Sequence, residues 1–138
     1  MQYAKKVDFL KVMEDWNKQI PNGFFNGFID LIFQKGDFFY IVDWKSNILD
    51  SKKENFNESG IRKEMAKHGY FLQYLLYSAV LHRYLKETLG DAYSWERNFG
   101  GIRYFFLRGV AAEATAPIFE DRPSEALLDE LCAALGMR

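Results

Sequence analysis

Apolar and polar positions along this chain switch between two periods. Over Tyr3–Gln19 the apolar residues Val7, Leu10, Val12, Met13 and Trp16 recur at helical spacing, and Pro21-Asn22-Gly23 ends the pattern. Phe24–Gln34 and Phe38–Ser46 follow, two runs rich in Phe, Ile and Tyr that predict strands. Gly36-Asp37 between them suits a two-residue turn, so a tight antiparallel hairpin is expected. A hairpin centred there has a definite register, with partner numbers adding to 73. Asp30 then stands opposite Asp43, and Phe28 opposite Lys45. The period of two puts Asp30, Asp43 and Lys45 on one face. The other face carries Ile29, Leu31, Phe33, Phe38, Tyr40, Val42 and Trp44, and is expected to be the core.

Beyond the hairpin, Ile48–Ser59 is polar and reads as a loop. Ile61–Leu89 predicts a long helix that Gly90 ends and Gly69 kinks or splits, with Tyr70, Gln73, Tyr74, Tyr77, Leu81, Tyr84 and Leu85 at helical spacing. A further strand is expected over Ile102–Leu107. A last helix is expected to start at Pro123, with Leu127, Leu128, Leu131 and Leu135 on one side. Helix, hairpin, long helix, strand, helix is an order that predicts a mixed α/β fold. Its sheet is covered by helices, and a right-handed crossover runs through the long helix.

Composition narrows the function. The 138 residues suffice for one domain, read as spanning 1–138, and 49% hydrophobic content favours a packed core. The net charge of −1 argues against a free-standing, charge-driven nucleic-acid binder. It is compatible with a catalytic module to which a partner or neighbouring domain delivers the substrate. Cys132 is the only cysteine, which excludes an intrachain disulfide, a four-cysteine zinc site and an iron–sulfur cluster held by four cysteines. No apolar run reaches membrane-spanning length and no signal peptide is visible, so a cytoplasmic protein is expected.

Candidate chemistry lies in the hairpin. Two carboxylates facing each other on a sheet repel, and a carboxylate in an apolar run is costly to bury. Two arrangements would relieve this. One is a pair of ion pairs, with Lys45 serving one acid and another base the other. The second is a hard divalent cation, magnesium or manganese, held by Asp30 and Asp43 with the backbone carbonyl of Trp44 as a further oxygen. Such an ion lowers the pKa of a bound water and neutralises a phosphate oxygen. Lys45 would position that water or stabilise charge in the transition state. These parts suit phosphodiester hydrolysis.

Gly27-Phe28-Ile29-Asp30, Asp43-Trp44-Lys45-Ser46-Asn47 and Gln73-Tyr74-Leu75-Leu76-Tyr77, in that order, resemble the PD-(D/E)XK nuclease superfamily. Tyr70–Tyr77, Leu81-His82-Arg83-Tyr84-Leu85, Phe99-Gly100-Gly101 and Phe106-Leu107-Arg108-Gly109 narrow the resemblance to the RecB-like C-terminal nuclease domains of exonuclease V. The resemblance implies a restriction-endonuclease-like mixed sheet with a central β-hairpin flanked by helices. It implies magnesium ligation by Asp30 and Asp43, and catalysis assisted by Lys45. It also implies that Gln73 and Tyr77, at i and i+4 on one helix face, contact DNA or orient Lys45. DNA and RecC- and RecD-like subunits would be the partners of the full-length parent, and ATP would serve only helicase domains outside this chain. No Gly-x-x-x-x-Gly-Lys-[Ser/Thr] loop occurs here.

One departure stands out. In that family a further metal ligand, usually histidine, comes from a helix well upstream of the Gly-x-x-Asp motif. Only 29 residues precede Asp30, none of them histidine, and Glu14 is the best acidic candidate among them. The chain therefore resembles a nuclease domain truncated on its N-terminal side. A non-catalytic DNA-guiding or scaffold module that keeps the nuclease fold is the alternative. His68 is considered as a phosphate neighbour and His82 as structural. Arg62, Lys63 and Lys67 are candidates for a DNA path, and Ser46 and Asn47 for hydrogen-bonding support of the site.

Overall fold

The computed structural model describes residues 29–47, 56–111, 113–114 and 117–137. The expected helix over Tyr3–Gln19, Glu14, the strand residues before Ile29 and the stretch 48–55 lie outside the described residues.

The hairpin forms with the expected register. β1 (Leu31–Lys35) and β2 (Phe38–Lys45) are antiparallel, Leu31 pairing with Val42 and Lys35 with Phe38. Gly36 turns the chain at φ +60, a left-handed conformation that glycine adopts without steric cost. Asp30 immediately precedes the first ladder residue.

The chain then enters α1 (Glu58–Lys67), which Asn57 caps by accepting the Gly60 N–H at 2.8 Å. Gly69, at φ +67, divides α1 from α2 (Tyr70–Leu89), so the expected long helix is split there. A 3₁₀ turn over Gly90–Ala92 and the short α3 (Trp95–Asn98) lead into β3 (Phe99–Phe106). β3 runs parallel to β2, with Tyr104 beside Asp43 and Phe106 beside Lys45. Parallel neighbours need a crossover, and α1 and α2 supply it. After α4 (Leu107–Ala111) comes β4 (Ile118–Asp121), antiparallel to β3. α5 (Glu125–Ala134) closes the described chain, with Ser124 accepting the Leu127 N–H at its start.

The result is a mixed α/β fold whose four-strand mixed sheet, in the order β1-β2-β3-β4, is flanked by helices. It is compatible with a restriction-endonuclease-like fold. Among the described residues, no helix is long and apolar enough to cross a membrane.

The structure departs from expectation at five points. The core is not the face that carries Leu31 and Trp44. Ile32, Ile41, Ile102, Tyr104, Phe106 and Phe119 are buried together with Tyr74, Leu81 and Leu85 of α2 and Leu128 of α5. By the strand period, that is the face of Asp43. On the other face Leu31 and Trp44 are exposed, Trp44 by 46%, and Phe33, Phe38 and Tyr40 are half-buried, with only Val42 fully buried among these strand positions. Both faces of the hairpin are rich in apolar residues, so alternation alone does not say which one the helices cover. β4 was not expected. It has four residues between two prolines, too few to show a period. β3 begins at Phe99, earlier than Ile102, because Gly100-Gly101 lets it pass close to its neighbours: a Cβ on Gly101 would strike the Asp121 carbonyl. α1 takes the last residues of the expected loop, and α5 starts two residues after Pro123.

Candidate active site

Asp43 lies near the C-terminal end of β2, between β1 and β3, and its position on the helix-covered face leaves it 3% exposed. Lys45, two residues on, shares that face. Its Nζ is 2.6 Å from Asp43 Oδ2, a close ion pair, and the ammonium is what meets this buried oxygen. Burial pushes the Asp43 pKa above its ordinary 3.8. The Lys45 ammonium against the carboxylate opposes this, and the Asp30 carboxylate adds to the rise. Asp30 is therefore close enough to act electrostatically on Asp43.

Asp30 differs from expectation in one respect: it is exposed. The cost of burial falls on Asp43 alone. Asp30 is held instead by the backbone, its Oδ2 accepting the Trp44 N–H at 3.0 Å. The hairpin register thus brings Asp30 to the strand that bears Asp43.

Lys45 has a crowded environment, with its side chain 11% exposed. Nζ donates to Gln73 Oε1 at 3.0 Å. The Tyr70 ring lies under the ammonium at 3.9 Å and the Tyr104 ring at 4.9 Å, both in cation–π range. Gln73 Nε2 faces Tyr77 Oη at 3.4 Å, so Gln73 and Tyr77 do share a face of α2. Tyr104 Oη donates to the same Gln73 Oε1 at 2.7 Å.

A second layer steadies the rim. Asn47 Nδ2 donates to Glu64 Oε1 at 3.1 Å and contacts Tyr70 Oη at 3.2 Å. Glu64 also pairs with His68 at 2.7 Å, and His68 stacks on Tyr70. The Ser46 carbonyl accepts from Arg108 Nε at 2.9 Å. Arg62, Lys63 and Lys67 are exposed along α1, Arg62 next to Glu58 at 3.5 Å.

Residue patterns did not flag Tyr104 or Glu64. The signal for Tyr104 is the register of β3 on β2, which only a resolved parallel pairing supplies. For Glu64 it is the approach of α1 to the residues that follow β2, seen in the Asn47–Glu64 hydrogen bond.

His82, Glu125 and Asp129 form a separate group, with one ligand atom from each lying within 4.8 Å of one another. His82 is fully buried, but both its nitrogens are engaged: Nδ1 with Tyr93 Oη at 2.6 Å and Nε2 with Asp129 Oδ1 at 2.9 Å. This group holds α5 against α2, and offers a metal no free imidazole nitrogen.

An ion fits better at the hairpin. The donor set there is carboxylate oxygen, suited to a hard cation, and the buried Asp43 oxygen is met by the Lys45 ammonium alone. The Asp43–Lys45 ion pair is present as well, so the two arrangements that the residue pattern left open share the same atoms.

No protein-family model matches the chain. It is 43% identical over 109 residues to the RecBCD enzyme subunit RecB of Haemophilus influenzae, which covers 79% of this chain and 9% of that protein. Against the RecBCD enzyme subunit RecB of Escherichia coli K12 the identity is 40% over 119 residues, 83% of this chain and 10% of the relative. For the protein of the same name from Borreliella burgdorferi it is 33% over 104 residues, 75% of this chain and 9% of the relative. The chain spans about a tenth of the length of these relatives, and most of the chain is similar to one stretch of RecB.

Proposed function

We propose that this chain is the nuclease part of a RecB-like helicase–nuclease, and that it hydrolyses DNA phosphodiester bonds with a divalent metal, magnesium or manganese. On this reading residues 1–138 belong to a single PD-(D/E)XK nuclease domain. The observation that carries the proposal is Lys45, held between a buried carboxylate and Gln73. The similarity to RecB supports the same reading.

Asp30 and Asp43 would hold the metal, with the Trp44 carbonyl as a further oxygen. When bound, the ion supplies an acidified water and neutralises phosphate charge. The chain's own residues do the rest. Asp43 is buried, so its charge is poorly screened and acts strongly at short range. The Trp44 N–H fixes Asp30. Lys45 presents an ammonium beside Asp43, where negative charge would grow on a phosphate in the transition state. Gln73 holds Lys45, and Tyr77 holds the other end of Gln73. Arg62, Lys63 and Lys67 would meet the DNA backbone on α1. In the full-length protein, RecC- and RecD-like partners would deliver the DNA, and ATP would be used by helicase domains elsewhere.

Calorimetry with manganese tests the site. Wild-type chain should bind the ion weakly, and Asp43→Ala should abolish that binding; unchanged binding in the variant removes the assigned ligand. Cleavage of linear duplex DNA with magnesium tests the chemistry. Lys45→Ala should lower the rate by about 10²–10³-fold with the melting curve preserved. Wild-type cleavage by that variant removes Lys45 from the reaction.

A further inference from the structure

Tyr104 is fully buried on β3, directly beside Asp43 in the parallel ladder. A buried phenol must find a hydrogen-bond partner or lose the bond outright. Its partner is Gln73 Oε1, at 2.7 Å. Lys45 Nζ donates to that same oxygen at 3.0 Å. A carbonyl oxygen has two lone pairs, and these donors fill both. An ammonium accepts nothing, so the amide must turn its oxygen toward Lys45. Nε2 is then directed toward Tyr77.

We propose that Tyr104 is a positioning residue for Lys45, and that its hydroxyl, acting through Gln73, sets where the ammonium stands beside Asp43. Two pulls act on Nζ. Asp43 Oδ2 draws it from 2.6 Å, and Gln73 Oε1 holds it from another side at 3.0 Å. A glutamine side chain has high rotamer freedom and holds nothing unless it is itself held. Tyr104 cannot move far, because its ring is packed against Tyr70 and Tyr74. The rigid strand thereby passes its position to Lys45 through one amide. Without the hydroxyl, Gln73 swings more freely and the ammonium loses its second anchor, leaving the ion pair with Asp43 as its main hold.

The consequence for cleavage rests on the nuclease reading above; the positioning itself does not. The test is therefore made in two parts on the 138-residue chain. Tyr104→Phe keeps the ring and removes the hydroxyl. Nitrogen-15 NMR of the lysine ammonium groups in metal-free protein, with the Lys45 signal assigned by its loss in Lys45→Met, reads the positioning directly. The signal should shift in Tyr104→Phe and its protons exchange about tenfold faster with water. In a Gln73→Leu background the same change at Tyr104 should add nothing. An unshifted, equally slow signal in Tyr104→Phe overturns the proposal, as does full additivity of the two substitutions. Should Tyr104→Phe fail to fold, 3-fluorotyrosine in its place keeps the shape and strengthens the donor; slower ammonium exchange is then expected, and an unchanged rate overturns the proposal. In cleavage, Tyr104→Phe should lower kcat about tenfold and leave KM within twofold. If wild type cleaves, Lys45→Ala does not and Tyr104→Phe cleaves at the wild-type kcat, the positioning claim fails alone. If wild type and Lys45→Ala are equally inactive, the nuclease reading fails, and the ammonium signal still decides the positioning.

Discussion

Two polar clusters hang from the same helix, and they are built differently. Gln73 near the start of α2 meets Lys45, Tyr104 and Tyr77. His82, nine residues and about 14 Å further along the helix axis, meets Tyr93 and Asp129. At His82 every strong demand is met: both ring nitrogens are bonded, and Lys86 joins the same Asp129 oxygen at 2.7 Å. At Asp43 a buried carboxylate oxygen has only the Lys45 ammonium, at 2.6 Å, to meet it. Ser78 Oγ is the other buried side-chain atom without a hydrogen bond among the described residues, but it is neutral, and an unbonded hydroxyl costs less than a buried charge. A saturated cluster joins two helices. The Asp43 cluster, with its charge held in place by its surroundings, is the arrangement that the proposed metal would complete.

Substitutions should separate the two. The largest effect is expected at His82. His82→Ala leaves a cavity and strips Tyr93 and Asp129 of a buried partner, so unfolding free energy should fall by about 2–4 kcal/mol, measured by urea denaturation. An effect under about 1 kcal/mol would mean that α5 is held by its apolar residues alone. The opposite is expected at the hairpin. Asp43→Asn combined with Lys45→Met removes a buried ion pair and replaces it with neutral groups of similar size. Stability should be unchanged or higher by about 1–2 kcal/mol. A clear loss would show that this cluster, too, is built for stability.

The effect of pH is smaller and has a definite sign. Burial holds the His82 pKa below its ordinary 6.5, and the nearby Lys86 charge adds to this, while the hydrogen bond to Asp129 and the charges of Asp129 and Glu125 oppose it. Above 6.5 the imidazole is neutral in both states and its stabilising contribution is fully present. As the pH falls below 6.5 the unfolded chain takes up a proton that the native state resists, so stability is lost on acidification through the depressed native value. His82→Gln should flatten the denaturation midpoint over that window, and a slope equal to wild type would assign the titration elsewhere. Smallest of all, Lys86→Ala should cost a few tenths of a kcal/mol in the same denaturation assay, since both partners of that pair are well exposed.

Much of the site could be read in advance because its parts are local. The Gly36-Asp37 turn determines pairing over the whole hairpin, and a period of two carries that register to Asp30, Asp43 and Lys45. A helical period places Gln73 and Tyr77 together. The strand face was misjudged for a physical reason: Ile32, Phe39 and Ile41 beside Asp43 are as apolar as Leu31, Phe33 and Tyr40 opposite. A hydrophobic pattern says that a strand is buried, and not by what. The burial of Asp30 was misjudged for a different reason: it sits before the ladder rather than within it.

By itself, the order of residues determined the hairpin and its register, the break at Gly69, and the pair of acids with a lysine two positions on. These follow from turn chemistry and from periods that act over a few residues. Only the tertiary structure decided that the acid-bearing face is the core, that β4 exists, and that Tyr104 reaches Lys45 through Gln73. Those outcomes depend on strands and helices far apart in the chain coming together, and packing between distant elements leaves no local period to read.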